Sequence, residues 1–268
     1  MFKKAMILTL IAAVLLIVAP KGSYAANALS VIDKSLMDKG IITVNYKSAK
    51  AAKAIVRIAK DDSKYDYHLV TGAHYPLQLG DGKYSVLVAE AAGNNKYKVV
   101  AQDTMYVKLA NKEEVFLQSI QLINWDDKTK AVIESKQLTQ NDETDMDKIA
   151  SIYAYVTQNI KYDYEKAQTV EADYIPDLDA VYESEEGICY DYASVFAAMA
   201  RSEGIPTRLV MGYSAEVPDT YHAWNQVYLQ GSDKWVTIDT TYDAVRIQAG
   251  EETPMIKDEA DYKISKIY

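Results

Sequence analysis

The spacing of apolar residues changes twice along this chain, and no single kind of layer fits all three regimes. From Gly40 the period is two. Strands are expected at Ile41–Tyr46, Ala54–Ile58, Tyr65–Val70, Tyr84–Ala89, Tyr97–Ala101 and Thr104–Leu109. Turn residues separate several of them, at Lys60-Asp61-Asp62-Ser63, Gly80-Asp81-Gly82 and Gly93-Asn94-Asn95. Short strands at this spacing predict a β-sandwich of about 80 residues. Ahead of it, residues 26–40 form a lead-in with a weak helical pattern at Leu29, Ile32 and Leu36.

The second regime is helical. A boundary is expected near Ala110-Asn111-Lys112, then a strand from Val115 to Ile123 and a helix over about 130–139. Thr144-Asp145-Met146-Asp147 opens another helix, whose apolar stripe is Ile149, Ile152, Tyr153, Val156 and Ile160. Residues 165–186, with Pro176 and several acids, read as a long loop placed to rim a cleft. The next helix runs from Cys189 to Ser202 and stops at Glu203-Gly204-Ile205-Pro206. After Pro206 the period returns to two, at Arg208–Tyr213, Ala223–Leu229 and Trp235–Asp239, the last two joined by a turn at Gly231–Lys234. Helices followed by an antiparallel sheet make the C-terminal part an α+β domain. The expected division is a leader at 1–25, a β-rich domain at 26–112 and an α+β domain at 113–268.

The leader follows from the first residues. Lys3-Lys4 precede an uncharged run from Ala5 to Ala19, and Ser23-Tyr24-Ala25 closes it, as in a secretory signal peptide cut after Ala25. The run is shorter than the ~20 residues of a membrane span, so no stable span is expected after cleavage. The segment carries three lysines and no acid, so the net charge of −9 becomes more negative once it is removed. An acidic surface argues against nucleic acid as a partner.

One cysteine is present, so no intramolecular disulfide forms. Cys189 lies at the first turn of its helix, where unpaired N–H groups and the helix dipole favour a thiolate, the nucleophilic form. A cysteine nucleophile needs a base, and the base needs a third group to fix its tautomer. His222 precedes one strand and Asp239 ends its hairpin partner, so the two are expected across from one another. If the cysteine helix packs on this sheet, all three meet.

Four blocks carry a resemblance: Gly187-x-Cys189-x-x-Tyr192-Ala193; Met199-Ala200-Arg201 through Gly204-Ile205-Pro206-x-Arg208-x-Val210-x-Gly212; His222-Ala223-Trp224-Asn225-x-Val227; and Trp235-x-x-x-Asp239-x-Thr241. In this order they resemble the transglutaminase-like superfamily in its bacterial form. Asn159-Ile160-x-Tyr162-Asp163 resembles the segment that precedes the family's cysteine loop. The resemblance implies a papain-like α+β core with Cys189 as nucleophile, His222 as general base and then acid, and Asp239 as its orienter. It implies acyl transfer through a thioester on protein or peptide amides, resolved by an amine or by water. Cell-wall peptides are one such substrate class for an exported bacterial protein. The Cys189 N–H is one implied oxyanion donor; Tyr162 and Trp125 are weaker candidates for a second. No paired Cys-x-x-Cys and no Asp-x-Asp-x-Asp-Gly loop occurs, so neither zinc nor calcium, nor any cofactor, is expected. The competing reading is a cell-surface binding or scaffold module with a vestigial triad.

Overall fold

The computed structural model describes residues 17–18, 31–48, 53–94 and 96–268. Apart from the two-residue strand β1 (Ile17–Val18), the expected leader lies outside the described residues. The chain divides into two compact units, one ending at Gln121 and the other running from Leu122 to Tyr268.

The first unit is built of two sheets. Strands β2 (Ile32–Asp33), β3 (Ile41–Val44) and β6 (His74–Pro76) form one, in the order β2-β3-β6. The other contains β4 (Ala54–Lys60), β5 (Ser63–His68), β7 (Gly82–Ala91) and β8 (Tyr97–Val107), in the order β1-β8-β7-β4-β5. Its pairings are antiparallel except that of β1 with β8. Three expectations change. The described part of the lead-in is a strand and a single 3-10 turn: Ile32 is buried as a strand residue paired with Val44, and the turn is confined to Met37–Lys39. The strands expected on either side of Gln102-Asp103 are one, because these polar residues continue the ladder opposite Leu87 and Val86. Where a strand over 115–123 was expected, Glu114–Leu117 form a 3-10 turn that buries Val115 and Phe116.

In the second unit, helices α1 (Lys130–Leu138) and α2 (Asp145–Asn159) fall where the apolar period puts them. The start of α2 is fixed reciprocally. Thr144 Oγ1 accepts the Asp147 N–H at 3.2 Å, and Asp147 Oδ2 accepts the Thr144 N–H at 3.3 Å. Strand β9 (Lys161–Tyr162) follows. The expected long loop then folds into helices α3 (Tyr164–Thr169) and α4 (Leu178–Ser184) and a short strand, β10 (Glu186–Gly187). Two acids explain this, one just ahead of the loop and one within it: Asp163 and Asp177 accept N–H groups of Lys166 and Ala180 as N-caps. Strands β9 and β10 pair in parallel, Tyr162 beside Gly187.

Helix α5 (Cys189–Ser202) is the centre of the unit. Every residue from Asp191 to Arg201 is buried, as a helix enclosed on all sides requires. It packs on β11 (Thr207–Ser214) and β12 (His222–Leu229) and on α1 and α2. Its end is a left-handed cap: Gly204 has φ +77°, its N–H reaches the Arg201 carbonyl, and the Ile205 N–H reaches that of Ala200. Buried Arg201 donates to the carbonyls of Thr207 and Tyr268, bolting the helix to the sheet. The chain continues through β13 (Lys234–Ile238), α6 (Thr240–Gln248), β14 (Ile256–Lys257) and β15 (Tyr262–Ile267). The sheet order is β14-β13-β12-β11-β15, antiparallel throughout. The fold class is α+β, helices on an antiparallel sheet, as the period changes require.

Two glycines separate two kinds of constraint. A Cβ on Gly204 meets open space but a strained φ. A Cβ on Gly212 would lie 2.1 Å from the Lys263 carbonyl oxygen and 2.9 Å from Trp224 Cη2, at the irregularity where β11 meets β15. Gly204→Ala is expected to cost about 1 kcal/mol, from conformation alone. Gly212→Ala is expected to cost at least about 2 kcal/mol, because backbone must move. Urea unfolding of both variants checks the ranking, and a smaller loss at Gly212 would contradict it.

Candidate active site

Cys189 is the first residue of α5 and is partly exposed, whereas most of the helix behind it is buried. What fixes this helix start is Asp191, fully buried two residues further on. Its Oδ2 accepts the Ile188 N–H at 2.8 Å and the Lys166 ammonium at 2.7 Å, and its Oδ1 accepts the Tyr174 hydroxyl at 2.5 Å. A buried carboxylate is tolerated when donors surround it in this way. The same packing explains Gly187, where a Cβ would lie 2.7 Å from Asp191 Cβ. Helix α3 and the turn after it therefore have a structural role: Lys166 and Tyr174 hold the cysteine's helix in place.

His222 opens β12 and is 6% exposed. Its Nε2 lies 2.7 Å from Asp239 Oδ2. The ring also hydrogen-bonds with Cys189, and with Nε2 engaged by Asp239 the nitrogen left for that bond is Nδ1. Sheet and cysteine helix are tied together beside the site, where Asn225 Nδ2 donates to the Ala193 carbonyl at 2.9 Å. Trp224 stacks on the imidazole with centroids 6.1 Å apart and planes 23° from parallel.

Asp239 is fully buried at the joint between β13 and α6. Its Oδ1 caps the helix by accepting the Tyr242 N–H at 3.1 Å, and its Oδ2 also accepts the Tyr262 hydroxyl at 3.2 Å. The hairpin differs in detail from the expectation that His222 and Asp239 face each other. The register pairs Asn225 with Ile238, so its continuation sets Asp239 opposite Trp224. The two side chains meet diagonally, within reach because alternate residues share a face.

The electrostatics follow from burial and pairing. Burial works against the imidazolium, but the charges of Asp239 and Cys189 outweigh it and push the His222 pKa up to about 10. Burial likewise raises the Asp239 carboxyl, but the imidazolium and the donors from Tyr242 and Tyr262 leave it below its usual 3.8. At neutral pH the contact is thus an imidazolium–carboxylate pair.

The structure brings Cys189, His222 and Asp239 together. Tyr162, beside Gly187 in the β9–β10 ladder, lies within electrostatic reach of Cys189. Sequence reasoning missed Asp191, Lys166, Tyr174 and Tyr262. An acid at the third position of the cysteine helix was a readable signal for Asp191. Nothing local marks Lys166, Tyr174 or Tyr262, whose partners lie 25, 17 and 23 residues away. Among the described residues, no three or more His, Cys, Asp or Glu are grouped to hold a metal ion. No helix among them is long and apolar enough to cross a membrane.

Residues 134–240 match the model of the transglutaminase-like superfamily. A crystal structure of a TGase is 29% identical over 42% of this chain and 30% of that chain, with a TM-score of 0.32. A candidate cysteine protease from Cytophaga hutchinsonii is 14% identical over 85% of this chain and 79% of its own, with a TM-score of 0.44. The periplasmic domain of TgpA from Pseudomonas aeruginosa is 15% identical over 82% and 95%, with a TM-score of 0.41. Comparison with curated proteins finds no match.

The charge pair fixes a pH dependence. A histidine whose folded pKa is raised from 6.5 to about 10 contributes stability that is complete below 6.5 and is lost as pH rises toward 10. The lowered carboxylate contributes above its usual 3.8 and loses that contribution only in stronger acid. Asp239→Asn is therefore expected to cost most, about 3 kcal/mol, between roughly pH 5 and 6.5, with the deficit shrinking toward pH 10. Denaturant unfolding of both proteins across this range checks it; a deficit that grows with pH would contradict the pair.

Proposed function

We propose, from a C-terminal unit that carries a transglutaminase-like core, that this protein is a cysteine enzyme acting on protein or peptide amides. The observation that carries the reading is the imidazole of His222, pinned on one side by Asp239 and turned on the other to Cys189. In this reading the sulfur adds to a Gln side-chain amide or a peptide carbonyl. The negative charge that develops on the oxygen is stabilised by the Cys189 N–H at the helix start. The imidazolium gives its proton to the leaving nitrogen, the C–N bond breaks, and a thioester remains on Cys189. The neutral imidazole then takes a proton from an incoming amine or water, and attack on the thioester restores the thiolate. Asp239 compensates the imidazolium at each stage and fixes its tautomer.

Which acceptor resolves the thioester separates a transferase from a hydrolase. We favour hydrolysis of peptides, with cell-wall peptides as the substrate class, since the leader over residues 1–25 would deliver the protein outside the cell. The β-rich part, expected over residues 26–112, would then act as a spacer or adhesion module for the enzyme unit.

Incubation with a Gln-containing peptide and a labelled amine tests both levels. Label in the peptide means transfer; released ammonia or cleaved peptide without label means hydrolysis. Cys189→Ala is expected to lower either product at least about 1,000-fold. Product formation by that variant at the wild-type rate would rule out the thioester.

A further inference from the structure

Strand β15 lies beyond the segment that matches the superfamily model, yet it places a side chain in the site. Tyr262 is 9% exposed. Its hydroxyl donates to Asp239 Oδ2, the oxygen that also meets His222 Nε2. Its ring lies 5.0 Å from that of Trp224, and Trp224 stacks on His222. Tyr262 thus reaches the imidazole twice, through the carboxylate and through the indole. A buried phenol calls for an acceptor, and here the acceptor is a buried charge, which makes the bond of the stronger, charge-assisted kind.

With the Tyr242 N–H on Oδ1 and the Tyr262 hydroxyl on Oδ2, both oxygens are held before His222 is counted. The carboxylate plane is then set by α6 and β15, not by the histidine. We propose that Tyr262 is a positioning residue for the reaction proposed above: its hydroxyl holds Asp239 so that Oδ2 faces His222 Nε2, and thereby turns the other ring nitrogen to Cys189. The inference rests on that reading of the three residues, and its test is chosen to separate the two.

The readout is alkylation of the single cysteine by iodoacetamide at pH 6, in the full chain, which needs no knowledge of the substrate. Tyr262→Phe keeps the ring and removes the hydroxyl. It is expected to slow alkylation roughly tenfold, at the low end of what losing a hydrogen bond to a charged group costs. In an Asp239→Asn background the same change is expected to have no further effect, because its route to the imidazole is already gone. A rate for Tyr262→Phe equal to wild type, or equal slowing in both backgrounds, would overturn the proposal and leave the triad reading standing. An Asp239→Asn protein that reacts as fast as wild type would overturn both. If the Phe variant does not fold, the wild-type protein decides by NMR. With three histidines in the chain, the His222 Nε2–H is assignable. A cross-peak from it to a slowly exchanging Tyr262 hydroxyl proton supports the proposal, and its absence overturns it.

Discussion

The C-terminal unit turns on a carboxylate that water cannot reach. A bare charge there would cost several kcal/mol, so Asp239 persists only because donors from three places converge on it. His222 comes from the start of β12, the Tyr242 amide from the first turn of α6, and Tyr262 from β15. These elements need not otherwise agree on a common point. The buried charge makes them agree, since a misplaced donor leaves it uncompensated. Fold and site are therefore one constraint: the arrangement that satisfies Asp239 also aims His222 at Cys189.

A second buried carboxylate does the same work for the sulfur. Asp191 gathers the Ile188 amide, the Lys166 ammonium and the Tyr174 hydroxyl, and so fixes the helix turn on which Cys189 sits. The two carboxylates belong to separate networks. They are coupled through Asn225, which spans from β12 to the Ala193 carbonyl on α5. Nucleophile and base are thus each held by their own buried acid, and Asn225 is the tie between helix and sheet nearest the site.

The parts legible in the sequence were those that depend on periodicity and local signals. The cysteine helix was readable from end to end, because a glycine and a proline stop it and its apolar stripe is unbroken. Strands β11 to β13 were readable because short runs rich in β-branched and aromatic residues are bounded by turn residues, at Pro206 and at Gly231–Lys234. Residues 165–186 were misread as loop because a capping acid such as Asp177 and a solvated one look alike in sequence; what separates them is whether an N–H points back. Gln102-Asp103 were misread as a break because two consecutive polar residues interrupt the alternation and resemble a turn, although the ladder runs on through them. Asp191, Lys166 and Tyr174 form a three-part contact between segments that approach only after the helices pack, and no local pattern records that. The same holds for Tyr262, whose strand joins the sheet at its far edge.

The two-residue parallel ladder of Tyr162 and Gly187 has its own consequence for assembly. It closes residues 163–185 into a ring at the base, so the entropy of bringing its ends together is spent on one small contact. Lys166 and Tyr174 then find Asp191 from within a tethered segment, as an intramolecular search over a short contour. The outer turn of that ring is itself held, since Lys166 donates to the Tyr174 hydroxyl at 2.7 Å. Tyr174 stands in the turn between α3 and α4, so lengthening that turn would withdraw a donor from Asp191 and release the first residues of the helix behind it.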